Sequence, residues 1–185
     1  MQDVDVNRRR FLARAAAFAP VLLFRPHALA AASPRRNDAA RDISFQHLHT
    51  GEHLQVEYWS GGEYVHDALA AVDHELRDWR TGAVHRIDPA LLDLLHDLRR
   101  ETGTASPFEV ICGYRSPETN RMLARTSSGV ANASLHMVGK AIDIRLPDIP
   151  LSGLRDAALA LRRGGVGYYP SSDFVHVDTG RFRTW

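Results

Sequence analysis

The sequence predicts an α+β domain, and three observations carry that reading. Two short alternating runs flank Thr50-Gly51, as in a β-hairpin. Two segments with helix-spaced apolar residues follow. The second half then changes to short apolar runs interrupted by turn residues, a small sheet with an inserted helix.

The elements are taken in chain order. Ile43 to Thr50 and His53 to Tyr58 form the hairpin. Asp67 to Trp79 places Leu69, Val72, Leu76 and Trp79 on one helix face. Asp88-Pro89 is an N-cap with proline at the first helical position. Leu91, Leu92, Leu94, Leu95 and Leu98 continue that helix, and Gly103 ends it. Phe108 to Cys112 is a strand. Ser116-Pro117-Glu118 opens a helix through Arg125, and Thr126 to Ala133 is a Ser/Gly/Asn-rich loop. Ala141 to Leu146 alternates Ile142 and Ile144 against Asp143 and Arg145, which predicts a strand. Ser152 to Arg163 is a helix; Gly167 to Tyr169 and Phe174 to Asp178 are a closing pair of strands.

The first thirty residues read as a leader, not as fold. Arg8-Arg9-Arg10-Phe11-Leu12 is a twin-arginine pattern, although Asn7 stands where Ser or Thr is usual. An apolar stretch, Ala15 to Phe24, and the small residues Ala28-Leu29-Ala30 complete a secretory signal. That stretch is far short of the roughly 20 residues a membrane span needs. The expected organisation is a twin-arginine signal at 1–30, a polar linker at 31–42 and one folded domain at 43–185. The expected partner is the twin-arginine export machinery, and the expected location is the periplasm, with no stable membrane span in the mature form.

A chain of 185 residues with 44% hydrophobic content suits one packed core. The net charge of +1 gives no argument for nucleic acid. The single cysteine, Cys112, excludes an intramolecular disulfide; in its apolar run it reads as a buried, inert thiol.

The chemistry concentrates in Ser134-Leu135-His136-Met137-Val138-Gly139-Lys140-Ala141-Ile142-Asp143, with His176 in the late strand. Two imidazoles and one carboxylate suit zinc, leaving a fourth position for water. Convergence requires the Asp143 and His176 strands to be neighbours. The bland alternative is that some of the ten histidines are simply satisfied core or surface residues. His47, His49, His53, His66, His74, His85 and His96 have no ligand context and read as structural.

Ser134-x-His136-x-x-Gly139-x-Ala141-x-Asp143 resembles the signature of the zinc D-alanyl-D-alanine peptidases, which belong with the lysostaphin-type enzymes and the hedgehog zinc domain. Gly113-Tyr114-Arg115-Ser116-Pro117 resembles that family's arginine motif. Gly167-Tyr168-Tyr169-Pro170 and Phe174 to Gly180 are similar to its exported murein endopeptidase branch. The likeness spans roughly residues 40–185. It implies a small antiparallel sheet carrying a zinc site and packed with helices. It implies His136, Asp143 and His176 as zinc ligands, Arg115 as the group facing the substrate carbonyl and developing oxyanion, and Ser134 as a hydroxyl that contacts substrate.

The family's general base is a Glu or His just upstream of the last ligand. Here Asp173 keeps a carboxylate at that place, one methylene shorter. Asp178, on the same strand face as His176, is the other candidate, either as base or as a group orienting a ligand. The implied activity is zinc-dependent hydrolysis of amide bonds in peptidoglycan peptides, as a murein endopeptidase. A D-Ala-D-Ala carboxypeptidase, a zinc amidase of another bond, a non-catalytic zinc module that binds peptidoglycan and a metal-free scaffold are the alternatives.

Overall fold

The computed structural model describes residues 39–126, 131 and 133–185. The predicted leader, most of the linker and most of the Thr126–Ala133 loop lie outside the described residues. Arg41 and Asp42, assigned above to the linker, already belong to a strand.

The hairpin pairs β1 (Arg41–His47) with β2 (His53–Ser60), and β2 continues into β3 (Glu63–Tyr64). Two helices follow, α1 (His66–Glu75) and α2 (Pro89–Thr102). Next come β4 (Phe108–Cys112), α3 (Pro117–Thr126), β5 (Ala141–Arg145), α4 (Leu151–Leu161), β6 (Gly165–Tyr169), β7 (Phe174–Asp178) and β8 (Arg183–Thr184).

The expectation of a small antiparallel sheet needs correction. Among the described residues the strands form one mixed eight-stranded sheet in the order β3-β2-β1-β4-β5-β7-β6-β8. The hairpin joins it because β1 lies parallel to β4, with Phe45 opposite Phe108. β1 buries Ile43 and Phe45 completely, so its apolar face needs the same core as β4. At the far edge β8 pairs parallel with β6.

Helix α2 forms where its caps predict. The Asp88 side chain accepts from Ala90 N at 3.0 Å, Pro89 opens the first turn, and Gly103 closes it at φ 69°. Its five buried leucines meet β1 and α4. Helix α1 stops four residues earlier than predicted. Asp78 turns the chain out of the helix: its carboxylate accepts from Arg80 N at 3.0 Å and from Ser116 N at 2.9 Å. Trp79 therefore leaves the helical face. Helix α4 ends at Leu161 because Arg162 takes a left-handed conformation at φ 51°.

The core gathers Ile43, Phe45, Val72, Leu76, the α2 leucines, Phe108, Val110, Ile142, Ile144, Val175 and Val177. The described residues fall within one compact unit, Pro34–Trp185. No helix among them is long and apolar enough to cross a membrane.

Candidate metal centre

Strands β5 and β7 are antiparallel neighbours, and their register sets Asp143 directly opposite His176. Ile142, Ile144, Val175 and Val177 fill the core on one face. By strand alternation, Asp143, His176 and Asp178 project from the other.

His136 reaches this face from a single 3₁₀ turn, Leu135–Val138. Ser134 Oγ caps that turn by accepting from His136 N at 3.3 Å. Gly139 ends it at φ 66°, and a Cβ there would stand 2.2 Å from the Arg86 carbonyl oxygen. Both the left-handed turn and the close approach require glycine. These residues hold His136 where the signature puts it.

The three predicted ligands converge. His176 Nδ1 lies 2.8 Å from Asp143 Oδ1 and 3.1 Å from His136 Nε2, and His136 Nε2 lies 3.2 Å from Asp143 Oδ1. All three residues are buried. The outer ring nitrogens fix the tautomers. His136 Nδ1 is 2.7 Å from the Gly113 carbonyl oxygen, which can only accept. His176 Nε2 is 3.1 Å from Asp178 Oδ2. Each imidazole that donates outward turns a lone pair inward. With both outer protons in place, two ring nitrogens and a carboxylate oxygen face one another, an arrangement that a shared proton or a metal cation relieves.

The donor set fits a small divalent metal. Nitrogen and oxygen ligands with bonds of about 2 Å in a tetrahedron sit roughly 3.3 Å apart, close to the spacings here. The electrostatics show the same pull for positive charge. Burial alone would push His136 down and Asp143 up. Their mutual attraction outweighs it: His136 is raised to about 10, and Asp143 is held well below the ordinary carboxylate range.

Cys112 stands opposite Asp143 across the other strand boundary, β4·β5. Its sulfur and the nearest ligand atoms of His136 and Asp143 all lie within 4.8 Å of one another. Cys112 is buried, as expected, but it faces the site and not the apolar core. Cys112 thus adjoins the triad, and Arg115 Nη2 lies 3.7 Å from its sulfur.

Asp178 is completely buried behind His176. It accepts from Gly165 N at 3.0 Å and Gly180 N at 2.8 Å, and Arg183 meets both its oxygens at 3.1 and 2.7 Å. Burial would raise its pKa, but these donors and His176 hold it well below the usual range. Asp173 is placed differently. Its side chain is 61% exposed and pairs with Arg145 Nη1 at 2.5 Å. It has a left-handed backbone at φ 54°, and it does not line the cavity over the triad.

That cavity holds about 580 Å³. Arg115 enters it from the loop after β4, with Nη2 at 3.6 Å from Asp143 Oδ2. Its Nε is buried with no partner among the described residues. The loop is fixed on both sides: Tyr114 N donates to Leu76 O at 2.7 Å and Arg115 N to His136 O at 3.2 Å. A Cβ on Gly113 would lie 2.6 Å from that Leu76 oxygen, which accounts for the glycine ahead of Tyr114-Arg115. Ser134 also lines the cavity, as do His49, Arg80, Tyr169, Arg183 and Trp185, none of which the sequence reading singled out as site residues. His49 carries no motif of its own; only the pairing of β1 with β4 brings the turn after β1 to this place.

The family model described as peptidoglycan L,D-endopeptidase MepK matches residues 35–185. The chain belongs to this family of peptidases. The peptidoglycan L,D-endopeptidase MepK of Escherichia coli (strain K12) is 42% identical over 186 residues, covering all of both chains. The probable peptidoglycan L,D-endopeptidase MepK of Haemophilus influenzae is 40% identical, covering all of this chain and 98% of its own length. No solved structure matches. The MepK family match covers every residue of the triad, the Gly113–Arg115 loop and the cavity.

Proposed function

We propose that this protein is a zinc-dependent peptidoglycan endopeptidase that cuts L,D-amide bonds in cross-linked murein peptides. The observation that carries the reading is the meeting of three lone-pair atoms, from His136, Asp143 and His176, at the floor of a cavity shared with Arg115. Family membership and relatives named for this activity at 40–42% identity support the choice of bond. They favour it over the carboxypeptidase, amidase, binding-module and scaffold alternatives.

His136, Asp143 and His176 would hold the metal. Bound zinc supplies Lewis acidity and a water whose pKa is brought near neutrality. The chain's own residues do the rest. Asp178 orients His176 by accepting its Nε2 proton, and Gly113 orients His136 in the same way. Arg115 presents a guanidinium beside the triad, where an oxyanion from the scissile carbonyl would be stabilised. Ser134 caps the His136 turn and offers its hydroxyl at the cavity wall.

The saturated environment of Asp178 favours an orienting role over that of base. Asp173 accepts a proton in this scheme only if its pair with Arg145 opens toward the cavity. Export through the twin-arginine system to the periplasm belongs to the same reading, supported by Arg8-Arg9 and the apolar stretch behind them.

The test is digestion of purified sacculi followed by mass spectrometry of the released muropeptides. L,D-cross-linked dimers should be converted to monomers. A chelator should abolish the conversion, and added zinc should restore it. Release of sugar-free peptides, or loss of terminal D-Ala alone, would overturn the bond assignment. Undiminished cleavage in the chelator would overturn the metal.

A further inference from the structure

Among the described residues, three guanidinium groups line the cavity, and two are matched by carboxylates. Arg115 lies beside Asp143, and Arg183 grips Asp178 with both nitrogens. The third, Arg80, has no carboxylate partner among the described residues. Its guanidinium lies 4.0 Å over the Trp79 ring, and Trp79 stacks on His49 at 4.2 Å and 21°. Among the described residues, Asp143 is the only carboxylate side chain in the cavity lining. His49 supplies no carboxylate, and burial and the neighbouring Arg80 push its pKa down. The cavity therefore presents an excess of positive charge on the side of the Arg80–Trp79–His49 stack.

We propose that Arg80 is the docking point for a free carboxylate on the substrate residue flanking the scissile amide. The proposal rests on the endopeptidase reading above. The guanidinium is held over the Trp79 ring, and none of its N–H groups has a hydrogen-bond partner among the described residues, so they are available to take a carboxylate in two parallel bonds. The backbone is fixed for this task. One carboxylate, Asp78, accepts from Arg80 N through Oδ1 and from Ser116 N, next to Arg115, through Oδ2. Arg80 and Arg115 are thereby held in register across the cavity. A peptide whose carbonyl meets Arg115 would meet Arg80 with a neighbouring group, and positive charge without a partner selects an anion. The acidic peptide cross-links of murein supply one.

The experiment uses the metal-loaded protein and two synthetic cross-linked peptides, alike except that the flanking carboxylate is free in one and a carboxamide in the other. Cleavage rates are measured for both, and affinities for uncleavable analogues with the scissile amide reduced. The wild type should prefer the acid about ten- to a hundredfold in KM and in affinity, the size of a charge-assisted hydrogen bond. Arg80→Gln should bring that ratio near one by raising KM for the acid, and Arg80→Lys should restore part of it. Arg80 is exposed, so the variants should fold, checked by thermal melting. A wild type that does not discriminate, or an Arg80→Gln variant that keeps its ratio, would overturn the proposal. Cleavage without discrimination sinks the Arg80 role and leaves the endopeptidase reading standing. Discrimination in binding without cleavage does the reverse.

Discussion

Strands β1 and β7 lie in one sheet and bury their residues for different reasons. Over Ile43–Phe45 β1 alternates: Ile43 and Phe45 are buried in the core and Ser44 between them is partly open, with His47 buried at the strand's end. β7 is buried on both faces, with Val175 and Val177 against the core, His176 at the cavity and Asp178 buried behind it. The first pattern is what hydrophobic burial alone produces. The second places ionisable groups out of water, where each unpaired charge costs several kcal/mol. It persists because every one of those groups has a directed partner. The cavity side of β7 is organised around charge, and its core side is organised around volume.

Breaking the core side should cost the most stability and touch the metal least. Leu95 in α2 is fully buried against this core. Leu95→Ala should destabilise the fold by about 2–5 kcal/mol, measured by denaturant unfolding. Metal content per folded chain should stay unchanged. A variant that loses metal while still folded would show that the two sides are not separable.

Breaking the cavity side should reverse the pattern. Asp178→Asn keeps the volume but weakens the acceptor for His176 Nε2 and Arg183. Metal affinity should fall by roughly ten- to a hundredfold, measured by competition with a chromophoric chelator. Activity at saturating metal should largely recover. Unaltered affinity would remove Asp178 from the orienting role.

Asp173 should give the smallest effect. While its carboxylate stays with Arg145 at the surface, Asp173→Asn should change kcat by less than about threefold. A base that takes a proton in the reaction typically contributes about a hundredfold or more. A loss of that size, with metal retained, would show that the Arg145 pair opens during turnover.

The same contrast explains what the sequence made legible. Local signals were sufficient for α2, whose cap, leucine spacing and closing glycine all lie within sixteen residues of chain, from Asp88 to Gly103. They were sufficient for β4, β5 and β7, and the motif around His136 together with the late strand named three residues that the fold brings within 3.2 Å. What they could not show is what distant pairing decides. The parallel contact of β1 with β4 enlarges the sheet, carries His49 to the cavity and depends on residues as far apart in sequence as Phe45 and Phe108. Asp78 ends α1 through a bond to Ser116, so apolar spacing alone ran that helix on to Trp79. Cys112 read as core because its neighbours in sequence are apolar; its neighbour in space is Asp143. The two-residue strands β3 and β8 carry no periodicity to detect.

The central claim is that His136, Asp143 and His176 together hold one metal ion. Metal analysis of purified His136→Ala, beside the wild type, tests it most directly, with circular dichroism to confirm that both are folded. The wild type should carry about one zinc per chain once loaded, since a three-ligand site leaves one position for water. The variant should carry almost none and should not cleave cross-linked muropeptides. A folded His136→Ala protein with full zinc occupancy would contradict the assignment.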